Sequence, residues 1–221
     1  SNYTKLIFSD YALNEELFEF YANEIITDDN RNKKFRVKGS EFNQYISILP
    51  HSITHLIFGV WFNKPILKLS CSLTHLFFGT FFNQDVSNLP HTLKYLIFGD
   101  YFNHHIYKLP NSITHLIFGR GFNRDISKLP SSITHLTFGH YFNQDVSKLP
   151  KKITHLTFGN NFNKDISKLP SSITHLALGN NFNQKITLHQ NILYLNLDCD
   201  NQDIIDSLPN SIVELELNRM F

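Results

Sequence analysis

The sequence predicts a β-rich solenoid: 20-residue coils stacked in one direction, with short parallel strands on one side and turns or 3₁₀ backbone on the other. Three observations predict it. The phrase LPxSITHLxFGxxFNxDISK returns every 20 residues through 51–190, seven times and without insertion. A fixed period of this size marks stacked supersecondary units. Within each copy, Leu116 and Phe118 alternate with His115 and Ile117, the period-two signal of a strand. Each copy also repeats six apolar letters, in one frame Ile113, Leu116, Phe118, Phe122, Ile126 and Leu129. A lone unit cannot bury them, whereas a stack can.

Taken in order, Tyr3 to Phe8 (YTKLIF) echoes ITHLIF and predicts a first strand. From Asn14 to Ile26 the pattern changes: Asn14 suits a helix N-cap, Glu15 and Glu16 its first turn, and Leu13, Leu17, Tyr21 and Ile25 recur every four residues. A short helix closing the open end of the stack is expected there. Thr27 to Lys34 is polar and reads as a loop, so residues 1–34 form an N-terminal cap. Phe35 to Pro50 is a degenerate copy that keeps Gly39, Phe42, Asn43, Ile46, Leu49 and Pro50, and the solenoid is assigned to 35–190. Residues 191–221 are degenerate C-terminal repeats: Ile192, Leu195 and Leu197 restart the phrase, Leu208 and Pro209 close it, and Ile212, Leu215 and Leu217 begin a last strand.

Within one unit, Gly119 is expected to turn the chain after the strand, and the FNxDI segment to return it. The Leu-Pro pair forces an extended exit, because a residue before proline avoids the α region. Stacked strands lie about 4.8 Å apart, so roughly ten coils give a curved rod on the order of 50 Å long. Each buried apolar side chain contributes about 1.5–3 kcal/mol. The column Phe42, Phe62, Phe82, Phe102, Phe122, Phe142, Phe162 and Phe182 predicts a buried aromatic spine. Beside it, Asn63, Asn83, Asn103, Asn123, Asn143, Asn163 and Asn183 form a structural ladder whose amides can satisfy turn backbone groups.

Composition bounds the function. Lys and Arg number 20 against 19 Asp and Glu, for a net charge of +1, which supplies no field for nucleic acid or a membrane surface. There is no apolar run long enough to span a bilayer and no signal-peptide core. Cys71 and Cys199 lie several coils apart, beyond disulfide reach. Free thiols suggest a reducing, intracellular setting in the cytoplasm of the host or source cell.

SITHLIFG followed by FNRDISKLP (residues 112–130) resembles the FNIP repeat, a member of the leucine-rich-repeat group found in social amoebae and in giant viruses of amoebae. The likeness covers about residues 35 to 190 and, weakly, the ends. It implies a leucine-rich-repeat-like solenoid and protein–protein interaction, in some members coupled to an F-box and ubiquitin ligation. The Ile-Pro of the family phrase is mostly Asp-Ile here, as at Asp125 and Ile126, and residues 1–34 carry no F-box pattern.

Candidate function lies on positions that point out of the sheet. His55, His75, Tyr95, His115, His135, His155 and His175 form one line, one ring per strand. At strand spacing, protonating all of them gathers like charge, so depressed pKa values and loss of stability below about pH 6 are expected. A straight row does not converge as metal ligands must, so neither a metal nor another cofactor is assigned. Thr114 and His115 are neighbours in sequence and are expected on opposite faces. With no unique Ser or Cys set beside a His and an acid, an enzyme is not expected. Beside the His row run Ile57, Phe77, Ile97, Ile117, Thr137, Thr157 and Ala177, and two variable residues follow each Gly. Trp61, Phe81, Tyr101, Ile57, Phe77 and Ile97 together have the aromatic character of a partner-binding surface. Asp85, Asp125, Asp145 and Asp165 are expected to form weak pairs with Lys108, Lys128, Lys148 and Lys168 on a solvated face. The chain therefore reads as a non-enzymatic scaffold for a protein partner, with end-to-end self-association through its terminal coils as the alternative and metal binding by the His row as a distant third.

Overall fold

Strand formation follows the repeated phrase. In the computed structural model, which describes residues 5–9, 34–38, 42–46, 49–185, 188–199 and 201–218, every coil from 51 onward contributes a strand at its HLx segment. The strands are β1 (Lys5–Ser9), β2 (Lys34–Lys38), β3 (His55–Ile57), β4 (His75–Phe77), β5 (Tyr95–Ile97), β6 (His115–Ile117), β7 (His135–Thr137), β8 (His155–Thr157), β9 (His175–Leu178), β10 (Tyr194–Leu197) and β11 (Glu214–Leu217). They pair in parallel as one 11-stranded sheet, each coil in register with the next, so that Leu116 lies opposite Leu136 and His115 opposite His135. The chain is a parallel β-solenoid.

The strand order is sequential except at one end, where β1 and not β2 lies beside β3. Leu6 is in register with Leu56 on one side and with Phe35 on the other. The half-coil after β2 nevertheless continues the stack: Phe42 stacks on Phe62 at 6.1 Å, and Asn43 Oδ1 accepts the Asn63 N–H at 3.0 Å. The helix expected over 14–26 and most of the loop 27–34 lie outside the described residues. Lys34, assigned to that loop, instead opens β2.

The core is two phenylalanines deep. Phe118 and Phe122 stack within their coil at 3.8 Å, and the pair repeats from Phe58 and Phe62 to Phe158 and Phe162. Leu116 and Ile113 complete it, fully buried. The return segment consists of turns: Phe122 N–H donates to the Gly119 carbonyl, Leu129 N–H to Ile126, and Ile133 N–H to Pro130. The glycine opens the turn after the strand, as expected, and has a second role. A Cβ on Gly119 would lie 2.4 Å from the Gly99 carbonyl. The residue is glycine because backbone meets backbone there. Along the second-Phe column successive rings are 6.0–6.2 Å apart, longer than the ordinary strand spacing of about 4.8 Å.

One helix escaped the sequence pattern. The five-residue α1 (Gln202–Asp206) replaces the turns of the coil before β11, with Asn201 as its N-cap: Oδ1 accepts the Ile204 N–H at 3.3 Å. Ile204 fills the core and is fully buried.

Candidate functional site

The strand face carries a continuous stack of rings. His55–His75, His75–Tyr95, Tyr95–His115, His115–His135, His135–His155 and His155–His175 are 4.0, 4.4, 4.2, 4.1, 4.1 and 3.8 Å apart between centroids. Tyr194 extends the stack at 4.2 Å beyond His175, a member that sequence reasoning missed because its coil departs from the phrase. Equal spacing and one outward position per strand bring these rings together.

The local backbone sets their environment. In each coil two successive N–H groups share one carbonyl: Thr134 and His135 both donate to Thr114 O, at 2.9 and 3.0 Å. The strand begins only at His135, so its alternation does not extend back to the Thr-His pair. Thr114 and His115 are therefore not on opposite faces: Oγ1 of Thr114 lies 2.9 Å from Nδ1 of His115. The contact recurs at 2.8–2.9 Å from Thr54–His55 to Thr174–His175. The threonine hydroxyl also faces the previous coil, with Thr134 Oγ1 at 3.2 Å from Thr114 O.

Burial among neighbouring rings pushes His115, His135 and His155 down to about 4, and the charge of nearby imidazoles acts in the same direction. His175 is lowered by burial too, with Glu214 opposing. His115, His135 and His155 are therefore neutral at ordinary pH. Among the described residues, no group of three or more His, Cys, Asp or Glu can hold a metal ion. Parallel rings aim their nitrogens in parallel and cannot converge on one ion.

Beyond the strand, Trp61, Phe81 and Tyr101 form a second stack, at 4.5 and 4.9 Å between centroids. Trp61 and Tyr101 are 49% and 59% exposed, and Phe81 is half-buried. Ile57 and Phe77, expected to share this surface, are instead buried at 8% and 7%. In register, Phe77 lies between Ile57 and Ile97. Ile97 is half-buried. The accessible part of the expected patch is therefore the three stacked rings with Ile97 beside them.

The structural ladder runs on the far side. Asn63 Oδ1 accepts the Asn83 N–H at 3.0 Å, and the bond repeats through Asn103, Asn123, Asn143 and Asn163 to Asn183. The Asp column does not ion-pair with the lysines. Asp125 accepts from the Ser127 N–H and hydroxyl at 3.0 and 2.7 Å, and Asp145 and Asp165 do the same with Ser147 and Ser167. Two local donors hold each carboxylate and keep its pKa below the usual range. The lysines, on flexible stems in water, gain little by closing in. Among the described residues the one ion pair is Lys185–Asp203 at 3.7 Å. No described helix is long and apolar enough to cross a membrane.

The solved structure of CroV588, from a giant virus and described as a novel circular LRR protein, matches with a TM-score of 0.70 and 41% identity. The match covers 83% of this chain and 33% of that one, so this chain spans about a third of that protein's length. No curated protein matches. The FNIP Repeat profile matches residues 42–81, 62–101, 82–121, 102–140, 122–159 and 162–191, the stretch over which rings, amides and glycines stack. The chain belongs to the FNIP repeat family, with a leucine-rich-repeat type solenoid as its fold.

Proposed function

We propose that the chain is a non-enzymatic recognition scaffold that binds a protein partner through its strand face, anchored on Trp61, Phe81 and Tyr101. The observation that carries this reading is the rim stack itself, three aromatic rings held face to face at 4.5 and 4.9 Å, with the outer two about half exposed. Stacking fixes their orientation before a partner arrives, which lowers the ordering cost of binding. Large rings that bury apolar area yet keep a polar atom are the residues that dominate interface energetics. The two positions after each glycine vary while the rest of the phrase barely changes, so they are where one coil differs chemically from another. Cys71 is exposed and Cys199 buried, and neither forms a disulfide, which accords with a reducing intracellular setting.

The test is affinity capture from lysate of the source or host cell. The native chain runs beside a variant carrying Trp61→Ser, Phe81→Ser and Tyr101→Ser, with circular dichroism to show that the variant folds. A partner retained by the native chain and lost by the folded variant supports the reading. Identical capture by both places the binding face elsewhere and overturns it.

A further inference from the structure

The residues that follow each glycine make a hydrogen-bonded ladder of their own along the rim. Phe81 N–H donates to the Val60 carbonyl, Tyr101 N–H to Thr80, Gly121 N–H to Asp100 and Tyr141 N–H to Arg120, at 2.9, 2.9, 2.7 and 2.9 Å. The backbone passes through Gly121 without a break. The rim column therefore reads Trp61, Phe81, Tyr101, Gly121, Tyr141, and one ring is missing from it.

The missing ring leaves a slot. Phe81 shows how a ring sits in this column: it is half-buried, 4.5 Å from Trp61 and 4.9 Å from Tyr101. Tyr101 is stacked by a ring on its Phe81 side and is 59% exposed, and Tyr141, beyond Gly121, is 51% exposed. Two steps of the column span about 9 Å at the Trp61–Phe81–Tyr101 spacing, which admits one flat ring needing about 3.5–4 Å on each face. A Cβ on Gly121 would lie 2.5 Å from the Asp100 carbonyl oxygen, so the chain's own backbone keeps the slot free of a side chain. Next to it, Arg120 is exposed. Its N–H is taken by Asp100 Oδ1 at 3.1 Å, but its guanidinium has no carboxylate, since Lys185–Asp203 is the one ion pair among the described residues.

We propose that the slot over Gly121 receives one aromatic side chain of a protein partner, stacked between Tyr101 and Tyr141, with an acidic residue beside it set against Arg120. This rests on the scaffold reading above and gives the partner its chemistry. A flat ring repeats the face-to-face contact that Phe81 already makes in the same column, whereas an aliphatic side chain lacks the flat faces that such stacking uses. Walls that stand in place before the ring arrives lower the ordering cost of binding. A carboxylate at the guanidinium adds a charge-assisted hydrogen bond, which fixes the direction in which the partner lies.

The test uses the whole chain and three blocked peptides: acetyl-Glu-Trp-Glu-amide, the same with Lys for Glu, and the same with Leu for Trp. With glycine nitrogen labelled, nine N–H signals report, and that of Gly121 is the one that Gly121→Phe removes. The acidic tryptophan peptide should shift the Gly121 signal. The leucine peptide should bind roughly tenfold more weakly, and the basic peptide roughly threefold more weakly. Read by saturation transfer to the peptide's indole protons, Gly121→Phe fills the slot and Tyr141→Ser removes a wall, and each should weaken binding roughly fivefold or more. The remaining glycine signals show that a variant is folded, and Tyr141→Ser decides the matter if Gly121→Phe does not fold. No shift at Gly121, a leucine or basic peptide that binds as well as the acidic tryptophan one, or Tyr141→Ser that binds like the native chain each overturns the proposal. Tighter binding of adenosine monophosphate than of the acidic tryptophan peptide overturns the assignment to a side chain. The peptides probe the slot without a cellular partner, so failure here and failure of partner capture are separate results.

Discussion

Oγ1 of Thr154 lies 2.9 Å from Nδ1 of His155 while facing the Thr134 carbonyl oxygen at 3.2 Å. A hydroxyl has one proton to give, and a carbonyl can only accept. If the threonine donates to the carbonyl, the imidazole must donate from Nδ1. On that donation the ring carries its proton on Nδ1 and leaves Nε2 as the acceptor.

That selection is measurable. Nitrogen chemical shifts of His115, His135 and His155 should report Nδ1–H at neutral pH. Thr154→Val should release His155 toward the other tautomer and destabilise the chain by about 1 kcal/mol. A native spectrum showing Nε2–H would refute the assignment.

The ladder also predicts an acid limit. His115, His135 and His155 sit near 4 in the folded chain against an ordinary 6.5. The unfolded chain therefore takes up protons first as pH falls. Stability is complete above about 6.5, declines between 6.5 and 4, and this contribution is gone below that window. Discounted for the solvent that reaches these rings, each contributes on the order of 1 kcal/mol. A fall in Tm of roughly 5–10 °C from pH 7.5 to pH 4.5 is expected. Replacing the three histidines by asparagine should flatten that slope, and an unchanged slope would place the acid sensitivity elsewhere.

Gly119→Ala should be among the most damaging single-atom additions to this chain. The new Cβ would meet the Gly99 carbonyl at 2.4 Å, with Asp100 N at 2.7 Å, and backbone on both sides cannot yield cheaply. A loss of about 3 kcal/mol is expected in denaturant unfolding. A cost below about 1 kcal/mol would mean that the coils can part there.

Asn123→Ala removes the acceptor for both the Asn143 N–H and the Gln144 Nε2 amide, bonded at 3.0 and 2.9 Å. Leaving the backbone donor unpaired costs about 1–3 kcal/mol. Asn123→Asp keeps an acceptor oxygen in place and should recover much of that loss at neutral pH. Equal destabilisation by both would show that side-chain size, not acceptance, matters at this column.

The period, the direction of the strands and the inward Leu116 and Phe118 were legible in the sequence, because 20-residue repetition and period-two alternation leave little freedom. What was not legible depends on contacts between coils. The alternation rule, extended one residue beyond the strand, put Thr114 on the wrong side, since two N–H groups sharing a carbonyl leave no trace in residue spacing. Insertion of β1 between β2 and β3 is invisible to any rule that stacks coils in chain order. Helix α1 did have a signal, Asn201 capping with Asp203 in the first turn, but five residues fall below what periodicity resolves. Ile57 and Phe77 look exposed in a strand pattern, yet they are buried while Ile97 in the same column is only half-buried, a difference that alternation does not encode.

The strand face and the core of the solenoid have different pitch. Neighbouring rings of the His ladder step by 3.8–4.1 Å where histidine follows histidine, whereas the second-Phe column steps by 6.0–6.2 Å. Because equivalent side chains are displaced by different amounts at the strand face and in the core, every coil is a wedge with its thin edge at the strands. Adding a coil therefore rotates the axis as well as advancing it. Repeat number in this protein is an angle as much as a length, and the strand face is the inside of the arc.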